Sequence, residues 1–262
     1  MSDVLFEATD GVAVITLNRP QAMNAFGGTM REDLLAHLER IAVDGDIGCV
    51  VVTGTGDAFC AGGDIASMAE LQARDDSDTI ARRMDLGAAV VRRIRAMRQP
   101  VIAAVNGAAA GAGLNLALAC DFRYAAETAK FSASFVKIGL IPDWAGHYLL
   151  TRLAGTARAM ELMMTGDRID ATEALRLGLV NRLWPREQLM EGVMQRARSL
   201  AAGPRSAIAA IKQGTYLAAD GTLDEVLAFE QAHQCRLFLE ADAREGMQAF
   251  LGKRSPAFGK AR

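Results

Sequence analysis

The sequence has little of the chemistry that metals, disulfides or polyanions need. It holds four cysteines with no C-x-x-C spacing and three widely separated histidines, which argues against a zinc centre or a disulfide framework. Its formal net charge of −2 gives no basic footprint for nucleic acid. Apolar stretches are broken by Gly, Asn or Asp before they reach membrane-spanning length. The start, Met1-Ser2-Asp3, lacks an apolar segment of the signal-peptide kind. No G-x-S-x-G elbow or Ser/His/Asp set points to a peptidase. What is left is the expectation of a cytoplasmic protein with no membrane or nucleic-acid partner and no metal. Its 262 residues can bury a sizeable core.

Hydrophobic patterning predicts an α/β core followed by a helical tail. Val12–Leu17 reads as a strand after the Asp10-Gly11 turn. Cys49–Val52 and Val101–Val105 are wholly apolar runs of the kind found in buried parallel strands. Asp121–Ala125 and Gly178–Leu183 read as further strands. Leu34, Leu35, Leu38 and Ile41 stripe a helix from Thr29 to near Ala42, and Leu86, Val90, Ile94 and Met97 stripe another that ends before Pro100. The polar segment 70–83 reads as a mobile, solvated stretch or a lid. Residues 205–262 show helical stripes and no strand.

Two runs of small residues follow predicted strands: Ala61-Gly62-Gly63-Asp64, and Gly111-Ala112-Gly113 at a helix start. Strand ends are where open α/β folds place ligands. Small residues let a backbone approach a ligand, and first-turn N–H groups are unpaired within their helix. Two such donors converging on one oxygen would make an oxyanion hole. Close packing of helices and strands is the alternative reading of the same runs.

Taken together, Asn18-Arg19-Pro20, Ala58 to Ile65, Ala103 to Gly107 with the glycine-rich helix start after it, Ile138 to Asp143, and Lys253 to Phe258 resemble the crotonase, or enoyl-CoA hydratase/isomerase, family. They run in the family's order along nearly the whole chain. Within the family the resemblance is to the branch that isomerises ring-epoxide acyl-CoA esters in phenylacetate degradation.

The resemblance implies a spiral of strand–strand–helix repeats over residues 1–202, binding acyl-CoA, and a helical C-terminal region, 203–262, that assembles homotrimers or hexamers. It implies a thioester oxygen held between the N–H of Gly63 and that of Ala112. Coenzyme A, part of the substrate and not a separate cofactor, would lie along Ala61, Gly63, Asp64, Ile65 and Ala66 and near Arg19, Ala25 and Gly111. Asp64 then serves the structure or the CoA loop.

Family hydratases carry two glutamates where this chain has Asn115 and Phe135, and neither of those side chains exchanges a proton near neutral pH. Asp143 remains at a position where some family members carry a working aspartate. A single carboxylate is enough for a proton shift between carbons, and apolar neighbours would raise its pKa. Asp143 also suits a helix N-cap. His147, four residues on, would share a helix face with it. The expected activity is that of an acyl-CoA isomerase, the alternatives being a hydratase with an atypical acid/base set or a non-catalytic acyl-CoA-binding protein.

Overall fold

The computed structural model describes residues 2–259. Met1 and residues 260–262, the outer ends of the two expected regions, lie outside the described residues. The chain opens with a hairpin of β1 (Val4–Thr9) and β2 (Val12–Leu17), followed by α1 (Met30–Val43). Then come β3 (Cys49–Gly54), β4 (Ala58–Cys60), α2 (Ile65–Ala73) and α3 (Ser77–Ala96). β5 (Val101–Val105), β6 (Ala108–Ala110), α4 (Ala112–Ala119), β7 (Phe122–Ala126) and β8 (Lys130–Ser132) complete two more turns. A 3-10 turn over Ser134–Ile138 leads to α5 (Gly146–Ala154), α6 (Thr156–Thr165), β9 (Arg168–Asp170), α7 (Ala171–Arg176) and β10 (Arg182–Trp184). The remainder is helical: α8 (Leu189–Ala201), α9 (Arg205–Asp220), α10 (Leu223–Phe238) and α11 (Ala241–Leu251).

Each strand pair after the β1–β2 hairpin splits between two sheets. β3, β5 and β7 enter a six-stranded sheet of order β1-β2-β3-β5-β7-β10, while β4, β6 and β8 enter a four-stranded sheet of order β4-β6-β8-β9. Because β3 to β5 to β7 are parallel, as are β4 to β6 to β8, the chain advances one step per strand–strand–helix repeat. That is the crotonase-type spiral. The strands at its centre are covered on both faces, which is why β3 and β5 read as unbroken apolar runs. α8 packs across β2, β3, β5 and β7, and α4 lies against β4 and β6 with every residue buried.

Several expectations need correction. Segment 70–83 is mostly exposed, as the solvated reading expects, but it is largely helical: α2 and α3 are separated only by a turn, and Asp76 caps α3 by accepting from the Thr79 N–H. Its charge run is the junction between two helices. β4, β6, β8 and β9, with three residues each, are too short to show a two-residue period, and β1, whose outer half is exposed, lies outside the strands read from the sequence. The strand expected over Gly178–Leu183 begins only at Arg182, because Gly178 lies in the left-handed region just after α7.

A buried charge cluster ties α9 to the core. Lys212 Nζ, on α9, donates to the carbonyls of Ile94 (2.7 Å) and Gln99 (3.0 Å) and pairs with Asp121 at 2.8 Å. Tyr216 donates to the other Asp121 oxygen. No residue of α10 is buried, and Leu223, Leu227, Phe238, Phe250 and Leu251 stand exposed along the tail.

Candidate active site

The small-residue runs meet at the ends of β4 and β6. Gly62 has φ +95°, and a Cβ there would lie 2.8 Å from the Ala110 carbonyl oxygen and 3.2 Å from the Ala112 nitrogen. An L side chain at Gly62 is therefore excluded twice, by conformation and by space. Gly111 (φ +51°) turns the chain into α4, making Ala112 its first residue. Phe26 pairs with Gly63 as a short parallel bridge, donating to Gly62 O and accepting from the Asp64 N–H. Those bonds leave the Gly63 N–H on the other edge. Neither it nor the Ala112 N–H has an acceptor among the described residues. The Ala112 donor also sits at the positive end of a buried helix.

Around this pair the remaining predicted residues separate into two groups. Arg19 donates to the Ala25 carbonyl (2.8 Å) and to Asp64 (3.0 Å). Asp64 caps α2 through the Ser67 N–H, and that bond, followed by the Arg19 guanidinium, holds its carboxyl below the usual range. These residues brace the loop leading to Gly63. Ala61 is tied by its N–H to the Met23 carbonyl, while Ile65 and Ala66 are exposed at the start of α2.

On the other side, Phe135 is buried in the 3-10 turn, its ring tip 3.8 Å from where a Gly111 Cβ would be. Asn115 is wholly buried on α4 and donates from Nδ2 to the Asp143 carbonyl at 2.8 Å. The Oδ1 atoms of both Asn115 and Asp143 are buried without a partner among the described residues. Burial pushes the Asp143 carboxyl up to about 6, with the Arg31 charge acting against it. Asp143 does not cap a helix. Ala145 holds the N-cap place of α5, and both Trp144 (φ +48°) and Ala145 (φ +59°) take left-handed conformations. Such residues cost on the order of 1–3 kcal/mol each and persist where surrounding packing imposes them. His147 is exposed on the first turn of α5, and Asp143 precedes that helix, so the two share no helix face.

Sequence reasoning missed Arg31. Although it lies among charges at the start of α1, it is only 6% exposed and donates from Nη1 to the Phe26 carbonyl at 3.1 Å. Its guanidinium lies 5.3 Å from the centroid of the Phe26 ring, which stacks on Trp144 at 4.6 Å. Burial, followed by the charge of Arg83, lowers its pKa, and Asp143 opposes that shift. The available signal was periodicity: Arg31 precedes Leu34 and Leu38 by three and seven residues and so falls on the buried stripe.

A half-buried carboxylate, tied through its own backbone to the helix that presents the unpaired Ala112 donor, is an arrangement for acid/base chemistry on a polarised carbonyl. The model of the Enoyl-CoA hydratase/isomerase family matches residues 7–261, and the chain belongs to that family of enzymes. It is 40% identical to the 1,2-epoxyphenylacetyl-CoA isomerase of Escherichia coli (strain K12), over 98% of both chains. It is 42% identical to a probable enoyl-CoA hydratase of Rhodobacter capsulatus, over 97% of both. Among solved structures, an enoyl-CoA hydratase from Polaromonas sp. JS666 superposes with a TM-score of 0.92 at 36% identity, covering 97% of this chain and 98% of that one. An enoyl-CoA hydratase/isomerase from Mycobacterium abscessus does so with a TM-score of 0.94 at 36% identity and the same coverage.

Proposed function

We propose that this protein is an acyl-CoA isomerase that moves a proton between two carbons of a CoA thioester, with Asp143 as the acid/base. The thioester oxygen sits between the N–H groups of Gly63 and Ala112, each donor contributing about 3–4 kcal/mol to the enolate-like transition state. Asp143 removes a proton from the α-carbon, the two donors hold the charge that develops on oxygen, and the same carboxyl returns the proton two carbons away. One carboxyl therefore serves both steps, and no separate cofactor is required.

The observation that carries this reading is the half-buried Asp143 carboxyl, with its Oδ1 buried and unpartnered among the described residues and its pKa raised to about 6, and no second acid at positions 115 and 135. An acid/base group works best when its pKa lies near the operating pH. The CoA moiety runs past the braced loop of Arg19, Ala25 and Asp64, along Ile65 and Ala66. The likeness to an isomerase named for an epoxyphenylacetyl-CoA ester supports the isomerase reading. The hydratase names of other relatives support the alternative, in which Asn115 and Asp143 hold a water.

The exposed apolar residues of α10 and α11 form the contact through which the chain assembles as a trimer or a hexamer. The test of function is parallel assay of crotonyl-CoA and a 3-enoyl-CoA. The isomerase converts the second and leaves the first largely unhydrated; rapid hydration of crotonyl-CoA supports the hydratase reading instead.

A further inference from the structure

Arg31 does more than its packing requires. Its Nη1 satisfies one backbone carbonyl, yet Nε is buried with no partner among the described residues. A buried donor left unpaired costs about 1–3 kcal/mol, and more when it is charged. Three buried polar atoms are left unpartnered on groups converging on this region: Arg31 Nε, Asn115 Oδ1 and Asp143 Oδ1. Arg31 and Asp143 sense each other's charge but form no ion pair among the described residues.

The position of Arg31 follows from backbone contacts. The Phe26 carbonyl that it binds also accepts from the Asp64 N–H, one residue beyond the Gly63 donor. The Phe26 ring beneath the guanidinium stacks on Trp144, the neighbour of Asp143. Arg83 is set beside it by α3. One turn later on that helix, a Cβ at Gly87 would lie 2.4 Å from the Trp144 Nε1, so this face of α3 packs on the same indole. Arg83 is itself turned toward α2, where it donates to Ser67 at 2.8 Å. Arg83 thus adds a second positive charge near Arg31, and the Arg31 guanidinium alone acts on the Asp143 carboxylate.

We propose that Arg31, with Arg83 behind it, binds an acceptor oxygen on the acyl group, so that the substrates are acyl-CoA esters carrying an oxygen substituent beyond the carbons that exchange the proton. This rests on the reading of the site as an acyl-CoA pocket. A guanidinium gives charge-assisted hydrogen bonds to such an oxygen, strongest to a carboxylate. A plain alkyl chain would leave Arg31 Nε unpaired and bury it further.

The experiment measures calorimetric affinities of three five-carbon esters, valeryl-CoA, 5-hydroxyvaleryl-CoA and glutaryl-CoA, for the wild-type protein, Arg31→Met and Arg83→Met. At least one oxygenated ester binds the wild type about tenfold more tightly than valeryl-CoA, and Arg31→Met removes that preference. A preference for both oxygenated esters identifies a neutral oxygen as sufficient. A preference for glutaryl-CoA alone, reduced in Arg83→Met, identifies an anion. Equal binding of the three esters by the wild type overturns the proposal even if Arg31→Met does not fold, and so does a preference that survives in a folded Arg31→Met. Failure to bind valeryl-CoA at all, with the oxygenated esters also unbound, removes the acyl-CoA reading itself.

Discussion

Asn115 and Asp143 are joined by a 2.8 Å hydrogen bond from the Asn115 Nδ2 to the Asp143 carbonyl, so the central buried helix fixes the backbone that carries the carboxylate. The bond precedes the two left-handed residues Trp144 and Ala145, whose conformation aims the chain into α5. Asn115→Ala should lower kcat about 10- to 100-fold with little change in KM, because the carboxylate loses its placement while the CoA groove is untouched. Steady-state kinetics check this, and Asn115→Asp, which lacks the donor when ionised, should not restore the rate.

Asp143 gives a pH signature with a defined sign. Burial raises its folded-state pKa to about 6, above the unfolded value near 3.9. The folded protein therefore binds more protons between those values, and this group's ionisation destabilises the fold as pH rises from about 4 to about 6. Asp143→Asn should be more stable than wild type at pH 8, by about 2–3 kcal/mol, and the gain should vanish near pH 4. Thermal melts at the two pH values check this. On its proposed role as base, kcat/KM should rise through about pH 6.

The Ala112 donor can be removed without removing the helix. Ala112 is the first residue of α4, where proline is tolerated because its missing N–H has no helical partner. Ala112→Pro should keep the fold by circular dichroism and lose about 10²–10³-fold in kcat. Ala112→Gly, which keeps the N–H, should stay close to the wild-type rate.

The Lys212 cluster bears on stability rather than chemistry. Lys212→Met leaves Asp121 without its counter-charge and two buried carbonyls without their donor, and should cost about 3–5 kcal/mol. Denaturant unfolding checks this, with the loss expected in both the core and the α9 signal.

Much of the fold was legible because burial on both faces leaves an unmistakable trace: Cys49–Val52 and Val101–Val105 could hardly be exposed. The stripe of Leu34, Leu38 and Ile41 was legible for a similar reason. β4, β6, β8 and β9 have three residues each, too few for a period, and the strands that pair with them lie far away in sequence. At the site, the glycine pairs were visible as sequence, but their approach within van der Waals contact depends on two separate sheet crossings. Asp143 was visible only through the family resemblance, since its chemistry comes from burial by residues remote in sequence. Arg31 was hidden because charge normally marks a solvated face.

The central claim is that Asp143 moves the proton while the backbone donors hold the ester. The most direct measurement follows a 3-enoyl-CoA in deuterated buffer by NMR, with wild type and Asp143→Asn compared at equal acyl-CoA saturation. The account predicts conversion to the 2-enoyl ester by the wild type, and a loss of at least about 10³-fold in Asp143→Asn with ester affinity kept within a few-fold. Isomerisation by Asp143→Asn at the wild-type rate would contradict it.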